Sequence, residues 1–303
     1  MTTSRPKPHS VAAVVVTHNR LDDLKRCLAA LRAQTHALRS IIVVDNASTD
    51  DTSAFLADQS DVTVVHLSTN AGGSGGFKAG MATAAETDTQ WWWLMDDDCV
   101  PAADALDRLA RACMNSESRM LAGAAPTVQY ADGITRCGLI WPHQSLRPVY
   151  HIDGRVDWAP FLGLLLSSVA CRSVGPVRDD FFINGDDTEY CMRLHYNGWH
   201  LVGAPDAVVM HPPITGGPAP AWKEYYRVRN SVVVAYMTDA TTTARARTTL
   251  IWSVREMKRV LILARDLRAN RIRIWMRLRG LTDAMLGRMG PRVLPEASPD
   301  ENA

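Results

Sequence analysis

The run from Trp91 to Asp98 (WWWLMDDD) most constrains the fold of this chain, because five large apolar residues lead directly into three consecutive carboxylates. A strand that is covered on both faces need not alternate apolar and polar residues, so the apolar part predicts a central strand of an α/β sheet. The carboxylates then follow the C-terminal end of that strand, where open α/β sheets bind their ligands. Three adjacent carboxylates repel one another unless a cation lies among them. The run therefore favours a divalent metal site, and the alternative is an acidic turn on a solvated surface.

Strand and helix patterns alternate through the first part of the chain. Short apolar runs rich in β-branched residues predict strands at Ser10–Thr17, Ser40–Asp45 and Val62–Leu67. Apolar residues at helical spacing predict helices, which are Arg20–Gln34, Thr52–Gln59, a helix opened by the glycine-rich loop Asn70–Gly76, and Ala102–Met114. This alternation predicts a doubly wound, mostly parallel α/β sheet. The pattern becomes helical towards the C-terminus, so we expect a catalytic domain over residues 1–230 and a basic helical region over residues 231–303.

The composition limits the classes of protein to which this chain can belong. Hydrophobic residues make up 47% of the chain, which is enough for a real core, and the net charge of +1 gives no reason to expect a nucleic-acid partner. The six cysteines form no CxxC pair, so neither a structural zinc site nor a disulfide scaffold is indicated. The N-terminus lacks the apolar core of a signal peptide, and apolar stretches such as Phe161–Leu166 are too short to span a bilayer. We therefore expect a cytoplasmic protein.

Two polar segments follow predicted strands and can contact a nucleotide. The short acidic and amide side chains of Asp45–Asp50 can hydrogen-bond a uracil or ribose edge, or they can form a turn that caps the next helix. The four glycines of Asn70–Phe77 allow the backbone to approach a diphosphate closely, at a helix N-terminus that favours anions. Lys78 lies close enough to contact a phosphate, although an exposed helix lysine is the more common outcome.

A second acidic cluster, Asn184–Glu189, precedes the predicted opening of an apolar helix. Asp186 and Asp187 can cap that helix and interact favourably with its dipole. Alternatively, one of them can act as a general base whose pKa is raised beside a negative metal–phosphate site. His211 follows a short apolar strand, and a lone histidine of this kind is more often structural. A neutral imidazole is nevertheless a good third protein ligand for a metal.

The order of these motifs resembles that of family 2 glycosyltransferases, which have the GT-A fold. The motifs are an apolar first strand, Val-Val-Asp-Asn-x-Ser-x-Asp, Asn-x-Gly-Gly, Asp-x-Asp, Gly-Asp-Asp and a late histidine, spread over roughly residues 10–230. Within that family, Gly72–Phe77 and Trp93–Asp98 look most like the corresponding segments of bacterial galactofuranosyltransferases of cell-wall galactan synthesis. Rhamnosyltransferases share most of the same frame.

This resemblance implies a role for each matching position. Asp45 matches a residue that contacts the nucleotide base, and Asn70 and Gly72 match the loop under the nucleotide. We expect the complete set of donor contacts to be Thr17, Asp45, Asn70, Gly72, Lys78, Asp96 and Asp97. We expect a divalent cation, Mn²⁺ or Mg²⁺, to be bound by Asp96, Asp98 and His211. Asp187 matches the catalytic base, with Asp186 as its neighbour, although many relatives have glutamate at the position of Asp186.

The residues and the resemblance together predict an inverting, metal-dependent glycosyltransferase. The metal would stabilise the leaving diphosphate and the base would take the proton of the acceptor hydroxyl, with no obvious nucleophile for a two-step reaction. We expect galactofuranose to pass from UDP-galactofuranose to a glycan or polyprenyl-linked acceptor. One alternative is a rhamnosyltransferase that uses a dTDP-sugar. A nucleotidyltransferase is disfavoured, because it would need a glycine-rich loop after the first strand and Thr17–Arg20 contains no glycine.

The C-terminal region is strongly basic. From Arg245 to Arg292 there are 13 arginines and lysines but only three acidic residues, a net charge of +10. Because its apolar residues follow helical spacing, the region predicts basic amphipathic helices, which can lie on anionic lipid. The resemblance favours a place on the inner face of the cell membrane, since acceptors of that family are often polyprenyl-linked. Alternatively, these helices pack on the catalytic domain or on another subunit of a homo-oligomer. A different class of function, a noncatalytic lipid- or nucleic-acid-binding protein acting through this region, is disfavoured by the intact acidic clusters.

Overall fold

The computed structural model of the chain describes residues 10–131, 133, 135–137, 154–212, 220–237 and 242–294. The chain divides into two compact units. The first, here called the sheet unit, comprises Met1–Ala71, Gly75–Val177 and Tyr190–Gly216. The second, here called the helical unit, comprises Gly72–Ser74, Arg178–Glu189 and Gly217–Ala303.

The sheet unit contains a ten-stranded sheet within the described residues. Its strands are β1 (Val11–Thr17), β2 (Ser40–Asp45), β3 (Val62–His66), β4 (Trp91–Asp96), β5 (Val100–Pro101), β6 (Leu121–Tyr130), β7 (Thr135–Cys137), β8 (Arg155–Val156), β9 (Leu164–Ser167) and β10 (His200–His211). Their order is β3-β2-β1-β4-β9-β6-β10-β5, with β7 paired to β6 and β8 paired to β10. β3, β2, β1 and β4 are mutually parallel, and β10 is parallel to β6, whereas β9 is antiparallel to both of its neighbours.

Helices cover both faces of this sheet. Over the first 200 residues they are α1 (Leu21–Arg32), α2 (Thr52–Ala57), α3 (Gly72–Ala85), α4 (Ala105–Asn115), α5 (Ser168–Val174) and α6 (Asp186–Tyr196). Along β1 the odd-numbered residues join the core formed with α1 and α4, and the even-numbered residues join the core formed with α3 and α6. Along β4, Trp93 and Met95 face the first core, whereas Trp92 and Leu94 face the second. The predicted doubly wound sheet with a central strand buried on both faces is confirmed.

The glycine-rich segment differs from the predicted loop, because α3 already begins at Gly72 and its next glycines lie in helical turns. A Cβ atom on Gly76 would lie 2.4 Å from Val16 Cγ1, and one on Gly80 would lie 2.4 Å from Val14 Cγ1. These glycines therefore allow α3 to approach β1 closely. Close packing of the helix on the strand therefore requires glycine at both positions, and the approach of a diphosphate to the segment Asn70–Phe77 stays a prediction.

The strands of the sheet unit place several predicted residues at the same edge. β1, β2 and β4 are parallel, and β10 runs in the same direction because β6 and β4 are both antiparallel to β9. Thr17, Asp45, Asp96 and His211 are the last residues of β1, β2, β4 and β10 respectively. They consequently lie at the C-terminal edge of the sheet, the edge at which α/β proteins bind ligands.

The helical unit is built from α7 (Ala221–Met237), α8 (Thr242–Leu263) and α9 (Leu267–Met285). Its apolar core contains Phe182 together with Tyr225, Tyr226 and Met276. Buried charges also link the three helices, since Arg277 of α9 forms ion pairs with Glu224 of α7 and Glu256 of α8. The predicted domain boundary after residue 230 falls inside α7, which is one continuous helix.

Two further sequence-based expectations concern cysteines and membrane spans. Five of the cysteines, Cys27, Cys99, Cys113, Cys171 and Cys191, are buried thiols that form no disulfide bond. Residues 121–167 contain β6 to β9, and residues 138–153 between them lie outside the described part of the chain. Within the described ranges no helix combines the length and the apolar character needed to cross a bilayer.

Candidate active site

A hydrogen-bonded cluster lies at the ligand edge of the sheet unit. The Thr17 hydroxyl donates to Asp97 Oδ2 over 2.8 Å. His211 Nε2 lies 3.1 Å from Asp98 Oδ1, and both aspartates are buried. The Arg20 guanidinium forms an ion pair with Asp98 and lies 3.4 Å from Asp97 Oδ1. The structure therefore brings four of the predicted site residues together and adds an arginine.

Arg20 is a site residue that the sequence-based prediction missed. It directly precedes α1, in the turn that follows β1, and it also forms an ion pair with Asp23. Its position in the sequence could have identified it, because a residue in the turn after the first strand lies at the same sheet edge as the acidic end of β4. The arginine supplies part of the positive charge that the three adjacent carboxylates require.

Burial and neighbouring charges shift the protonation of this cluster in different directions. Burial raises the pKa of Asp97 to about 7, although Arg20 and the Thr17 hydroxyl oppose that shift. Burial would also raise the pKa of Asp98, but His211 and Arg20 outweigh it and hold the pKa of Asp98 below its usual value. Burial opposes the charged form of His211, but Asp98 outweighs this effect and raises the pKa of His211.

Asp98 and His211 have suitable chemistry for two ligands of a divalent cation. His211 Nδ1 lies 3.0 Å from the Pro212 carbonyl oxygen, so the proton on that nitrogen can be directed to the backbone. That tautomer leaves the Nε2 lone pair facing Asp98, which is the arrangement typical of metal-binding histidines. A carboxylate and an imidazole leave further coordination positions to be filled by diphosphate oxygens and water.

Asp96 does not complete a three-residue metal site. No group of three histidine, cysteine, aspartate or glutamate side chains is positioned to hold a metal ion anywhere in the described ranges. Asp96 is the last residue of β4, so strand alternation directs its side chain to the face shared by Trp92 and Leu94, whereas Asp98 lies beyond the strand in the turn. The structure thus brings together two of the three predicted metal ligands.

A second polar cluster surrounds the end of β2. The buried Asp45 carboxylate accepts hydrogen bonds from the Ser48 amide over 2.9 Å and from the Ser53 hydroxyl, and it lies 3.2 Å from His66 Nδ1. Burial opposes ionisation of Asp45, but these hydrogen bonds outweigh it and lower its pKa. Asp45 therefore closes the turn after β2, as one of the two sequence-based alternatives predicted, although the N-cap residue of α2 makes no side-chain capping hydrogen bond. Its contact with a nucleotide base stays a prediction.

Asn46 links this turn to the start of α3. Its amide nitrogen donates to Asn70 Oδ1 over 3.2 Å, and its Oδ1 accepts from the Ala71 amide over 2.9 Å. Asn70 is thus held beside the end of β2, and Lys78 lies one and a half turns into α3 with a partly exposed side chain. Both residues remain predicted donor contacts.

The helical unit carries the remaining predicted residues. Asp186 and Asp187 open α6; Asp186 is buried and Asp187 is partly exposed. Burial, with a contribution from the charge of Asp187, raises the pKa of Asp186 to about 7, and burial raises the pKa of Asp187 as well. Asp187 Oδ1 accepts from the Thr188 amide over 2.6 Å and lies 3.1 Å from the Thr188 hydroxyl. A partly exposed carboxylate with a raised pKa has the properties that a general base needs.

Gly72 packs against the segment that precedes this carboxylate pair. Its φ is +70°, and a Cβ atom there would lie 2.0 Å from the Phe182 carbonyl oxygen. The Phe182 oxygen also accepts a hydrogen bond from the Ser74 amide over 3.1 Å. Both the backbone conformation and the close approach therefore require glycine at this position, whether or not it also contacts the donor.

Comparison with known proteins places this geometry in context. A family model described as glycosyl transferase family 2 matches residues 12–151. The chain is 34% identical over 218 residues to galactofuranosyltransferase GlfT1 of Mycobacterium tuberculosis, covering 67% of this chain and 70% of that protein. The fold is similar to that of Staphylococcus aureus TarS 1-349 in complex with UDP-GlcNAc, with a TM-score of 0.60, 12% identity, and coverage of 91% and 80% of the two chains. It is also similar to the mannosyltransferase PcManGT from Pyrobaculum calidifontis in complex with GDP-Man and Mn²⁺, with a TM-score of 0.54, 16% identity, and coverage of 94% and 88%.

Proposed function

The chain belongs to glycosyltransferase family 2, and from this premise we propose that it transfers galactofuranose from UDP-galactofuranose to a hydroxyl group of a glycan or polyprenyl-linked acceptor. The choice of sugar is supported by the 34% identity to a protein named as a galactofuranosyltransferase. The observation that carries the proposed chemistry is the Asp98–His211 pair, 3.1 Å apart at the ligand edge of the sheet. This pair provides one carboxylate and one imidazole where a nucleoside diphosphate would be bound.

The residues of the sheet unit would bind the donor. Asp98 and His211 would hold a divalent cation, Mn²⁺ or Mg²⁺, and Asp96 would contact the ribose or diphosphate. When bound, such a cation supplies Lewis-acid stabilisation of the leaving diphosphate. Arg20 would balance the charge of Asp97 and Asp98, which are both within its reach. The use of a metal is in keeping with the fold neighbour that was solved with Mn²⁺.

Asp187 would act as the general base. Its carboxylate would take the proton of the acceptor hydroxyl while that oxygen attacks the anomeric carbon, and UDP would leave from the opposite face. A single displacement of this kind inverts the configuration of the anomeric carbon. Asp186 is buried beside it, and charge repulsion between the two carboxylates would favour the state of the pair that holds one proton.

We expect UDP release from UDP-galactofuranose to require both the acceptor and the enzyme, and to exceed the release of dTDP from dTDP-rhamnose by at least about tenfold. A donor site that hydrogen-bonds particular groups rejects analogues lacking them by large factors. Coupled detection of the released nucleotide, with glycan and polyprenyl-linked acceptors tested in parallel, measures this ratio. Faster turnover of dTDP-rhamnose would identify a rhamnosyltransferase, and binding of both donors without any transfer would contradict the proposed reaction.

We also propose that α8 lies on an anionic membrane surface. Leu250, Val254, Met257 and Leu261 recur along one face of this helix and are 64%, 46%, 42% and 63% exposed. The single acidic residue of α8, Glu256, is buried in ion pairs, whereas basic residues, which include Arg247, Arg255 and Lys258, are exposed around the apolar face. An apolar stripe with positive flanks is complementary to anionic lipid, and it is poorly suited to a second copy with the same positive charges.

Replacing Leu250, Val254 and Leu261 by serine is expected to lower flotation with phosphatidylglycerol vesicles by at least about tenfold, because each exposed aliphatic side chain gains free energy by leaving water. In the matched control, serine replaces Met114, Met120 and Val169, which are exposed apolar residues of the sheet unit. This control variant should float like the wild type. These substitutions are preferable to a C-terminal truncation, which would leave the buried Glu224 without Arg277. Equal flotation of all variants would contradict the lipid surface, and loss of a dimer in the α8 variant would identify a second copy as the partner.

A further inference from the structure

A strained backbone segment leads into the carboxylate pair of the helical unit. Phe182 has φ +67° and ψ −61°, and the Ile183 amide donates to the Phe181 carbonyl oxygen over 2.9 Å, so these residues form the rare and strained type of γ-turn. Asn184 has φ +64° and Gly185 has φ +88°. Non-glycine residues rarely adopt such conformations, and they persist in them only when their surroundings hold them. Asp186 follows directly, so this segment sets where α6 begins.

Asn230 of α7 holds this segment through its side-chain amide. Its Nδ2 lies 3.0 Å from the Phe181 oxygen, 2.8 Å from the Ile183 oxygen and 2.7 Å from the Asn184 oxygen. Its Oδ1 accepts a hydrogen bond from Arg229 Nε over 2.8 Å. Because Nε can only donate, this bond fixes the orientation of the amide, with Oδ1 towards Arg229 and Nδ2 towards the carbonyl groups. Both hydrogens of the amide are therefore directed at the carbonyl groups of the strained segment.

Arg229 holds the preceding residues in the same way. It is fully buried, at 0% exposure, and its Nη2 donates to the carbonyl oxygens of Asp180 over 3.0 Å and Phe181 over 2.9 Å. The guanidinium also lies over the rings of Tyr225 and Tyr226, at 5.4 Å and 4.9 Å from their centroids. Burying a guanidinium carries a large desolvation cost, which is offset only when its hydrogen bonds are satisfied.

We propose that Arg229 and Asn230 are positioning residues that fix the strained segment 181–185 and thereby place the Asp187 carboxylate for proton transfer from the acceptor. This inference rests on the proposed role of Asp187 as the base. The link is covalent and short, because the last carbonyl group bonded by Asn230 is that of Asn184, three residues before Asp187. A displacement of about 1 Å in a catalytic group can cost roughly 100-fold in rate, so a loss of these hydrogen bonds should be visible in turnover.

The test is a double-mutant cycle between Asn230→Ala and Asp187→Asn. Asn230→Ala is expected to lower kcat by about 10- to 100-fold, with the KM for UDP-galactofuranose changed by less than about twofold. In the Asp187→Asn background the same substitution should change the residual kcat by less than about twofold, because the group that it positions is already inactive. A residue that only stabilises the fold would not distinguish the two backgrounds.

Stability is controlled by a second variant of the same helix. Tyr225→Phe removes the buried hydrogen bond to Asp283 Oδ2, 2.7 Å long, and should lower the melting temperature while leaving kcat unchanged. If Asn230→Ala does not fold, Arg229→Lys replaces it in the cycle, because lysine keeps the charge but loses the forked donors to Asp180 and Phe181.

Two outcomes would overturn the inference: an unchanged kcat in the folded Asn230 or Arg229 variant, or an equal loss of kcat in both backgrounds. The proposed role of Asp187 as the general base is tested separately, because wild-type turnover by the single variant Asp187→Asn would contradict it. In that case any effect of Asn230→Ala cannot act through Asp187, and the positioning role is also rejected.

Discussion

Replacing Asp187 by asparagine is expected to lower sugar transfer by about 100- to 10,000-fold, the range typical of a lost general base. The amide keeps the shape of the side chain and can still accept the hydrogen bonds from Thr188, but it cannot take a proton from the acceptor at neutral pH. The affinity for UDP should change by less than about twofold, because the predicted donor contacts of the sheet unit are unaltered. Turnover measured beside a calorimetric titration of UDP separates the two effects.

Asp186→Asn is the matched comparison, because it removes the same charge from the adjacent and more deeply buried position. We expect a smaller loss, since Asp187 remains able to accept the proton. The pKa of Asp187 should stay raised in this variant, because burial is the cause of that shift. Turnover above about a tenth of the wild-type value in Asp187→Asn, or a larger loss in Asp186→Asn, would place the base elsewhere.

Removing the proposed metal ligands is expected to have the second large effect. His211→Ala and Asp98→Asn should each weaken Mn²⁺ binding in the presence of UDP by at least about 100-fold, since even the outer partners of metal ligands are worth 10- to 100-fold in affinity. EDTA should stop turnover of the wild-type enzyme, and added Mn²⁺ should restore it. Calorimetry with Mn²⁺ and UDP measures the affinity, and anomalous scattering from a manganese-soaked crystal locates the ion.

Asp96→Asn distinguishes the two-residue site from the three-residue site that the sequence predicted. If Asp98 and His211 are the protein ligands, this variant should keep Mn²⁺ affinity within about threefold and lose donor affinity instead. An equal loss of Mn²⁺ affinity in all three variants would restore the three-residue site, since loss of a direct ligand should cost at least the 10- to 100-fold of an outer partner. Transfer that is unaffected by EDTA, or an ion located away from Asp98 and His211, would refute both.

The central sheet could be predicted because its burial pattern is local. In Val11–Thr17 and Trp91–Asp96 every residue is apolar except the last, and a strand with no polar face can only be covered on both sides. Parallel strands place their C-terminal ends at one edge, so the positions of Thr17, Asp97 and His211 followed from their order along the chain. The family resemblance was carried by the same residues, and the relatives and fold neighbours confirm it.

The sequence by itself thus determined the strands, the ligand edge, the enzyme family and the acidic and histidine residues found there. Tertiary structure alone decided which side chains meet, as in the ion pair between Arg20 and Asp98. It also decided that Gly76 and Gly80 allow α3 to pack closely on β1, and that Arg229 and Asn230 hold a backbone segment almost fifty residues earlier. Periodicity reports whether a residue is buried, because burial depends on neighbours along the same element. Periodicity carries no information on a hydrogen-bond or ion-pair partner from another helix or strand, since that contact forms only when the two elements pack together.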